Sequence, residues 1–213
     1  MAFSIFSNDT CSPLGIAERR SSHFTAFGKD SLAPMKPALI SFSEKNSIAG
    51  LSVPEEFYWV IQEPTPLAGM TLPRSSSLDW SILKKIGFRW VVCLCSENPR
   101  YDPAPVQRLV TVELCDLAEE SMPKYPEQEE QKIQVIGELV YRKLQDGEGV
   151  IVHCAGGRGR TGSVLGVAMR RLGFSAKEVV DFLDAVHRAR GKDGWPESPW
   201  QQEIVESALD PIS

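Results

Sequence analysis

The residues of this chain best suited to chemistry lie together in "HCAGGRGRTG", His153 to Gly162. The thiol of Cys154 precedes the guanidinium of Arg160 by six positions, and Gly156, Gly157 and Gly159 leave the turn between them with little side-chain bulk. The apolar run "GVIV" comes before it and an apolar-periodic stretch after it, so the decapeptide reads as the turn from a strand into a helix. In open α/β sheets ligands collect at the carboxyl ends of strands, where the next helix offers unpaired N–H groups and the positive end of its dipole. Glycines at such a turn permit positive φ, so successive N–H groups can aim inward as a nest for an anion. Arg160 adds a planar fork matched to two phosphate oxygens. The same field favours a thiolate, since cysteines beside helix N-termini and cations have pKa values lowered from about 8.5 to roughly 3.5–7.5. The expected chemistry is attack of the Cys154 sulfur on phosphorus, with Ala155, Gly156, Gly157, Arg158, Gly159 and Arg160 holding the phosphate oxygens.

Two neighbours complete this reading. Thr161 is placed to donate its hydroxyl to the thiolate and help it leave a phosphocysteine, and His153 is expected to order the loop through its ring rather than act as a base. No metal and no cofactor is required. The spacing of Cys and Arg alone would not single out a site, but only Cys154 combines it with a preceding buried strand, three glycines and a following helix. Gly157, Gly159 and Gly162 also match G-x-G-x-x-G, the dinucleotide fingerprint. That fold needs a second strand ending in an acidic residue about 20 positions on, where this chain has a capped amphipathic helix instead. The G-x4-G-K-[ST] phosphate loop is excluded because Ser163 follows Gly162 with no lysine between.

The elements that must position the loop can be read around it. "FYWVI" (57–61), "FRWVVCLC" (88–95), "LVTVELCD" (109–116) and "GVIVHC" read as strands, and "QEPTPLAGMTLP" reads as a loop. Helices are expected over 75–87, 126–147, the stretch "RTGSVLGVAMRRLG" and "SAKEVVDFLDAVHRARG". Gly87, Gly147 and Gly173 serve as stops, and Ser175 with Glu178 forms a capping box. The basic run "HRARGK" (187–192) suits a helix C-terminus. The alternation predicts an α/β fold with a mainly parallel central sheet of about four or five strands flanked by helices.

The 213 residues, 42% hydrophobic and 24% charged, suit one domain of about 150 residues with an appendage. Residues 1–52 hold ten serines and no sustained period, and read as a loosely ordered extension to a domain over 53–210. A net charge of −5 argues against nucleic acid as a partner, so any anion site must be local. The five cysteines show no paired spacing and read as reduced thiols. No apolar run reaches the roughly 18 residues of a membrane span, and a cytoplasmic chain is expected.

"VHCAGGRGRTG" resembles the signature loop of the cysteine-based protein tyrosine phosphatase superfamily, specifically the compact atypical dual-specificity phosphatases. The resemblance extends over about 54–207 through "FYWV", "LAGMTLPR", "LKKIGFRWVVCLCSE" and "ESPWQQEIV". It implies a phosphotyrosine phosphatase-like fold and hydrolysis of phosphotyrosine, and often phosphoserine or phosphothreonine, on a phosphoprotein through a phosphocysteine. It also implies a general acid from an upstream loop, for which Asp116 at the end of "LVTVELCD" is the choice. Relatives place a proline sooner after that acid, which leaves Glu119 and Glu120 as rivals. Gln201 resembles the glutamine that orients water, with Gln202 beside it. A basic residue at Arg158 is similar to phosphoinositide-directed members, which adds a phosphorylated small molecule as the alternative substrate. The bland reading has Arg158 pairing with Glu119 or Glu120. Inactive phosphate-binding relatives lack the nucleophile that Cys154 supplies, and sulfur carriers or arsenate reductases do not need the Asp116 loop. Cys93, Cys95 or Cys115 could trap Cys154 as a disulfide, though small buried side chains are their ordinary role. Trp195 and Trp200 are expected to pack the last helix.

Overall fold

Apolar residues in short β-rich runs separated by amphipathic segments build the domain around a single sheet. In the computed structural model of the chain, residues 36–41, 57–73, 78–117 and 122–208 are described, and all fall in one compact unit. The strands are β1 (Tyr58–Ile61), β2 (Leu67–Met70), β3 (Phe88–Cys93), β4 (Gln107–Thr111) and β5 (Gly149–His153). The helices are α1 (Trp80–Lys85), α2 (Pro126–Gln145), α3 (Gly159–Arg171), α4 (Ala176–Ala189) and α5 (Pro199–Ser207). The five strands lie in the order β1-β2-β5-β3-β4, antiparallel between β1 and β2 and parallel elsewhere. This is the mainly parallel α/β sheet expected from the sequence.

Burial on both faces explains the near-continuous apolar strands. On one face Val92, Val150 and Val152 join Ile133, Val140, Val164, Leu183 and Ile204 of α2 to α5 in the larger core. On the other, Phe57, Phe88, Val91 and Ile151 pack with Trp80 and Leu83 of α1. β5 is fully buried between β2 and β3, so the segment leaving its carboxyl end is held by an internal strand paired on both edges.

The expected loop over "QEPTPLAGMTLP" contains β2, a correction to the reading of that stretch. Leu67–Met70 is fully buried and pairs with β5 on one side and β1 on the other, and this pairing overrides the weak propensity of the glycine and flanking prolines. Gly69 is needed there, because a Cβ at that position would stand 2.2 Å from Cζ of Tyr58. The glycine stops and the capping box form as expected: Gly87, Gly147 and Gly173 have positive φ, and Ser175 and Glu178 cap α4 reciprocally. Of the stretch read as an extension, residues 36–41 run beside β1, where the Ile40 N–H donates to the Val60 carbonyl at 3.2 Å. The remainder of 1–52 lies outside the described residues.

At the end of α4, His187 is buried edge-on against the Tyr58 ring, and its Nδ1 accepts from Arg190 at 2.8 Å. Burial first, then the Arg190 charge, lowers its pKa from 6.5 to about 3. The folded ring stays neutral while the unfolded one takes up a proton below about pH 6.5, so this stability is complete above that pH and drains away as pH falls toward 3. Urea-unfolding midpoints measured across that window should fall less steeply with acid for His187→Gln than for the wild-type chain.

Candidate phosphate site

The loop that leaves β5 runs from Cys154 to Arg158 and enters α3 at Gly159. Gly157 carries φ +64°, and a Cβ there would come within 2.5 Å of the Met70 backbone, so this position requires glycine for both conformation and space. Its N–H donates to Cys154 Sγ at 3.2 Å. Its carbonyl accepts from the Tyr58 hydroxyl at 3.1 Å and from Arg190 at 3.3 Å. Burial pushes the Tyr58 pKa up, so the hydroxyl keeps its proton and remains a donor at neutral pH. Two further contacts fix the curl: the Leu72 N–H donates to the Ala155 carbonyl at 3.2 Å, and Trp195 Nε1 donates to the Gly159 carbonyl at 3.4 Å. No side chain caps the start of α3, which leaves its first N–H groups facing the loop for an anion.

Arg160 extends from the first turn of α3 across the sheet end. It donates to the Leu114 carbonyl at 3.3 Å and to Asp116 Oδ2 at 2.6 Å. Both residues line a cavity of about 540 Å³ together with Leu72, Cys95, Glu113, Leu114, Cys115 and Ala155. Asp116 sits at the rim with 56% of its side chain exposed, whereas Cys154 is 2% exposed. Asp116 is thus brought to the same cavity as Arg160 although 44 positions separate them. Its rivals Glu119 and Glu120 lie outside the described residues.

The other expected residues take varied places. His153 is fully buried, with the Tyr101 hydroxyl 2.5 Å from Nε2 and the Cys154 carbonyl 3.4 Å from Nδ1. Thr161 is buried with no hydrogen-bond partner for Oγ1. Arg158 donates to Glu197 at 2.7 Å and lies 3.6 Å from Asp193. Its carboxylate partners therefore come from the segment before α5. Gln201 is 2% exposed, and its Oε1 accepts from the Glu197 N–H at 2.9 Å. A Cβ on Gly159 would stand 2.7 Å from its amide nitrogen, which places Gln201 beside the loop. Gln202 instead donates to Glu206 along the helix. Trp195 and Trp200 both join the larger core. None of the four described cysteines is in a disulfide: Cys93 is buried, Cys95 half-buried and Cys115 exposed.

Sequence reasoning missed Tyr58, Tyr101, Arg190 and Glu197, all of which hold the loop or its flank. Nothing in their local sequence marks them. Arg190 even falls inside "HRARGK", read only as a helix end.

The family described as Swiss Army Knife protein, DSP-PTPase phosphatase domain, matches residues 54–202. The chain belongs to this phosphatase family. Among solved structures, the phosphatase domain resembles human DUSP28 at 17% identity and a TM-score of 0.51, over 75% of this chain and 96% of that one. It resembles PTPMT1, solved in complex with PI(5)P, at 16% identity and 0.52, over 70% and 92% respectively. It also resembles P. aeruginosa TpbA at 19% identity and 0.47, over 71% and 84%. At these identities the likeness is one of fold. Among the described residues of the phosphatase domain, no helix is long and apolar enough to cross a membrane.

Gly157→Ala forces a Cβ into the left-handed region and onto the Met70 backbone. It should lower the unfolding free energy by at least about 1–2 kcal/mol and weaken binding of tungstate, a phosphate-shaped oxyanion, at least tenfold. Urea unfolding and calorimetric titration measure the two effects.

Proposed function

We propose that this domain hydrolyses phosphate monoesters on proteins, phosphotyrosine first and phosphoserine or phosphothreonine with it, through a phosphocysteine formed on Cys154. The observation that carries this reading is the Arg160–Asp116 pair. A guanidinium rooted in the loop already holds one anionic group at the cavity, 2.6 Å away, and that group is the expected acid. Substrate engagement is then an exchange: the phosphate takes the donors that Asp116 occupies, and the released carboxyl turns to the leaving oxygen.

The cycle follows from the residues around that exchange. The sulfur forms a bond to phosphorus as the bond to the leaving oxygen breaks, and Asp116, which takes up a proton from solvent once phosphate has displaced it from Arg160, supplies that oxygen with the proton. Arg160 and the N–H groups of the loop hold the equatorial oxygens as charge redistributes. Gln201 orients a water against the phosphocysteine, and the Asp116 carboxylate accepts its proton. As the S–P bond breaks, the unpartnered Thr161 hydroxyl is available to the departing thiolate and inorganic phosphate is released.

The cavity lining favours a substrate with one phosphate. It carries two carboxylates, Glu113 and Asp116, against one guanidinium, and Arg158 is committed to Glu197 and Asp193. Potential of that sign disfavours a second phosphate group near the first. A polyphosphorylated lipid or small molecule is therefore the second reading, and it depends on Arg158 leaving its carboxylates.

The test is turnover by the purified chain without added metal. Cys154→Ser should abolish it, and brief acid quenching of the wild type with labelled substrate should leave phosphorus on Cys154. Asp116→Ala should lower kcat by roughly 10²–10⁴-fold on phosphotyrosine peptides, and by much less on aryl phosphates whose leaving group needs no proton. Across a panel of phosphotyrosine peptides, phosphothreonine peptides and phosphoinositides, Arg158→Ala should leave peptide preference unchanged. A selective loss of phosphoinositide turnover in that variant would establish the second reading instead.

A further inference from the structure

Beside the phosphate loop, at the carboxyl ends of β3 and β5, lies a set of soft donor atoms to which the proposed reaction gives no chemical step. β3 and β5 are parallel neighbours with Cys93 in register with His153, so these two side chains leave the sheet on one face. Cys95 follows two residues further along, just past the end of β3, where it bridges to Glu113. The two sulfurs and a ring nitrogen of His153 all lie within 4.8 Å of one another.

We propose that Cys93, Cys95 and His153 form a binding site for a thiophilic divalent cation of the Zn²⁺ type, which shares Cys95 with the wall of the phosphate cavity and is not a cofactor of hydrolysis. Zinc bonds of about 2.3 Å to sulfur and 2.0–2.1 Å to nitrogen separate tetrahedral donors by roughly 3.3–3.8 Å. The three donors therefore close on an ion by at most roughly 1.0–1.5 Å, which rotation of the cysteine side chains supplies. Two sulfurs and an imidazole select a soft or borderline cation, whereas Mg²⁺ and Ca²⁺ require oxygen donors. Both ring nitrogens of His153 have an oxygen neighbour, the Tyr101 hydroxyl or the Cys154 carbonyl. Whichever nitrogen turns to the metal, the other keeps a partner that orients the ring. Cys93 and His153 are buried, but Cys95 lines the cavity and gives the ion a way in. Three protein ligands leave a fourth position for water.

The experiment reads binding rather than turnover, so it stands or falls independently of the phosphatase reading. The 213-residue chain carrying Cys154→Ser, which removes the reactive thiol, is titrated with Zn²⁺ against a chromophoric chelator and, separately, with Co²⁺. The expected result is one Zn²⁺ per chain and a thiolate-to-Co²⁺ charge-transfer band. Adding Cys93→Ser or Cys95→Ala should weaken Zn²⁺ binding at least tenfold and remove most of that band. Because Cys93 is buried, the half-buried Cys95 position decides the matter, with thermal unfolding confirming that the variant is folded. The proposal is overturned if Cys154→Ser alone abolishes binding, if folded Cys95→Ala binds Zn²⁺ as tightly as its parent, or if bound Co²⁺ shows no sulfur charge transfer.

Discussion

The conformation of one residue, Gly157, constrains the whole phosphate site. Its N–H points at Cys154 while its carbonyl points away, into a clamp made by Tyr58 and Arg190. Its Cα is pressed against the Met70 backbone, where only hydrogen fits. The clamp in turn needs Gly69, whose missing side chain makes room for the Tyr58 ring, and His187, whose ring packs edge-on against it. The curl of main chain is thus held both by side chains from β1 and the end of α4 and by the backbone of β2. Fixed N–H groups are what make such a curl useful, because donors that are already oriented need not reorganise when an anion arrives.

In the proposed reaction, charge at the site serves exchange rather than permanent pairing. Arg160 is almost buried and Asp116 is half-exposed, so the cation is the fixed member and the carboxylate the mobile one. An exposed carboxylate gives up its partner at little cost, since water solvates it and the pair is partly screened. The Arg158 pair differs in kind. Both it and Glu197 are largely buried, and Glu197 also presents its N–H to Gln201, so this interaction ties the loop to the segment before α5. The two arginines of the loop, two positions apart, therefore serve opposite ends: one faces the cavity and the other secures the frame.

Much of this was legible in the sequence because it is local. The strand, glycine turn and helix around Cys154 and Arg160 are written in neighbouring residues, as are the capping box of α4, the glycine stops and the periodicity of α2 and α4. Local signals also mislead. Leu67–Met70 carries a glycine between two prolines and reads as loop, yet it forms a buried strand because β1 and β5 accept it on both edges. Arg158 is paired with carboxylates as the bland reading expects, but those described are Glu197 and Asp193, far along the chain, and not a neighbouring loop's Glu119 or Glu120.

By itself, the sequence determined which groups are present and that a strand, a glycine turn and a helix would carry the thiol and the guanidinium in succession, since fewer than ten residues of backbone set that order. Tertiary structure alone decided which distant groups join them. Asp116 reaches Arg160 over 44 positions, Tyr58 reaches Gly157 over 99, and Arg158 meets Glu197 over 39. Those partnerships depend on the order in which strands line up in the sheet and on which helix packs over its end. They are decided by the summed burial of two cores, a property of the whole chain that no short stretch encodes.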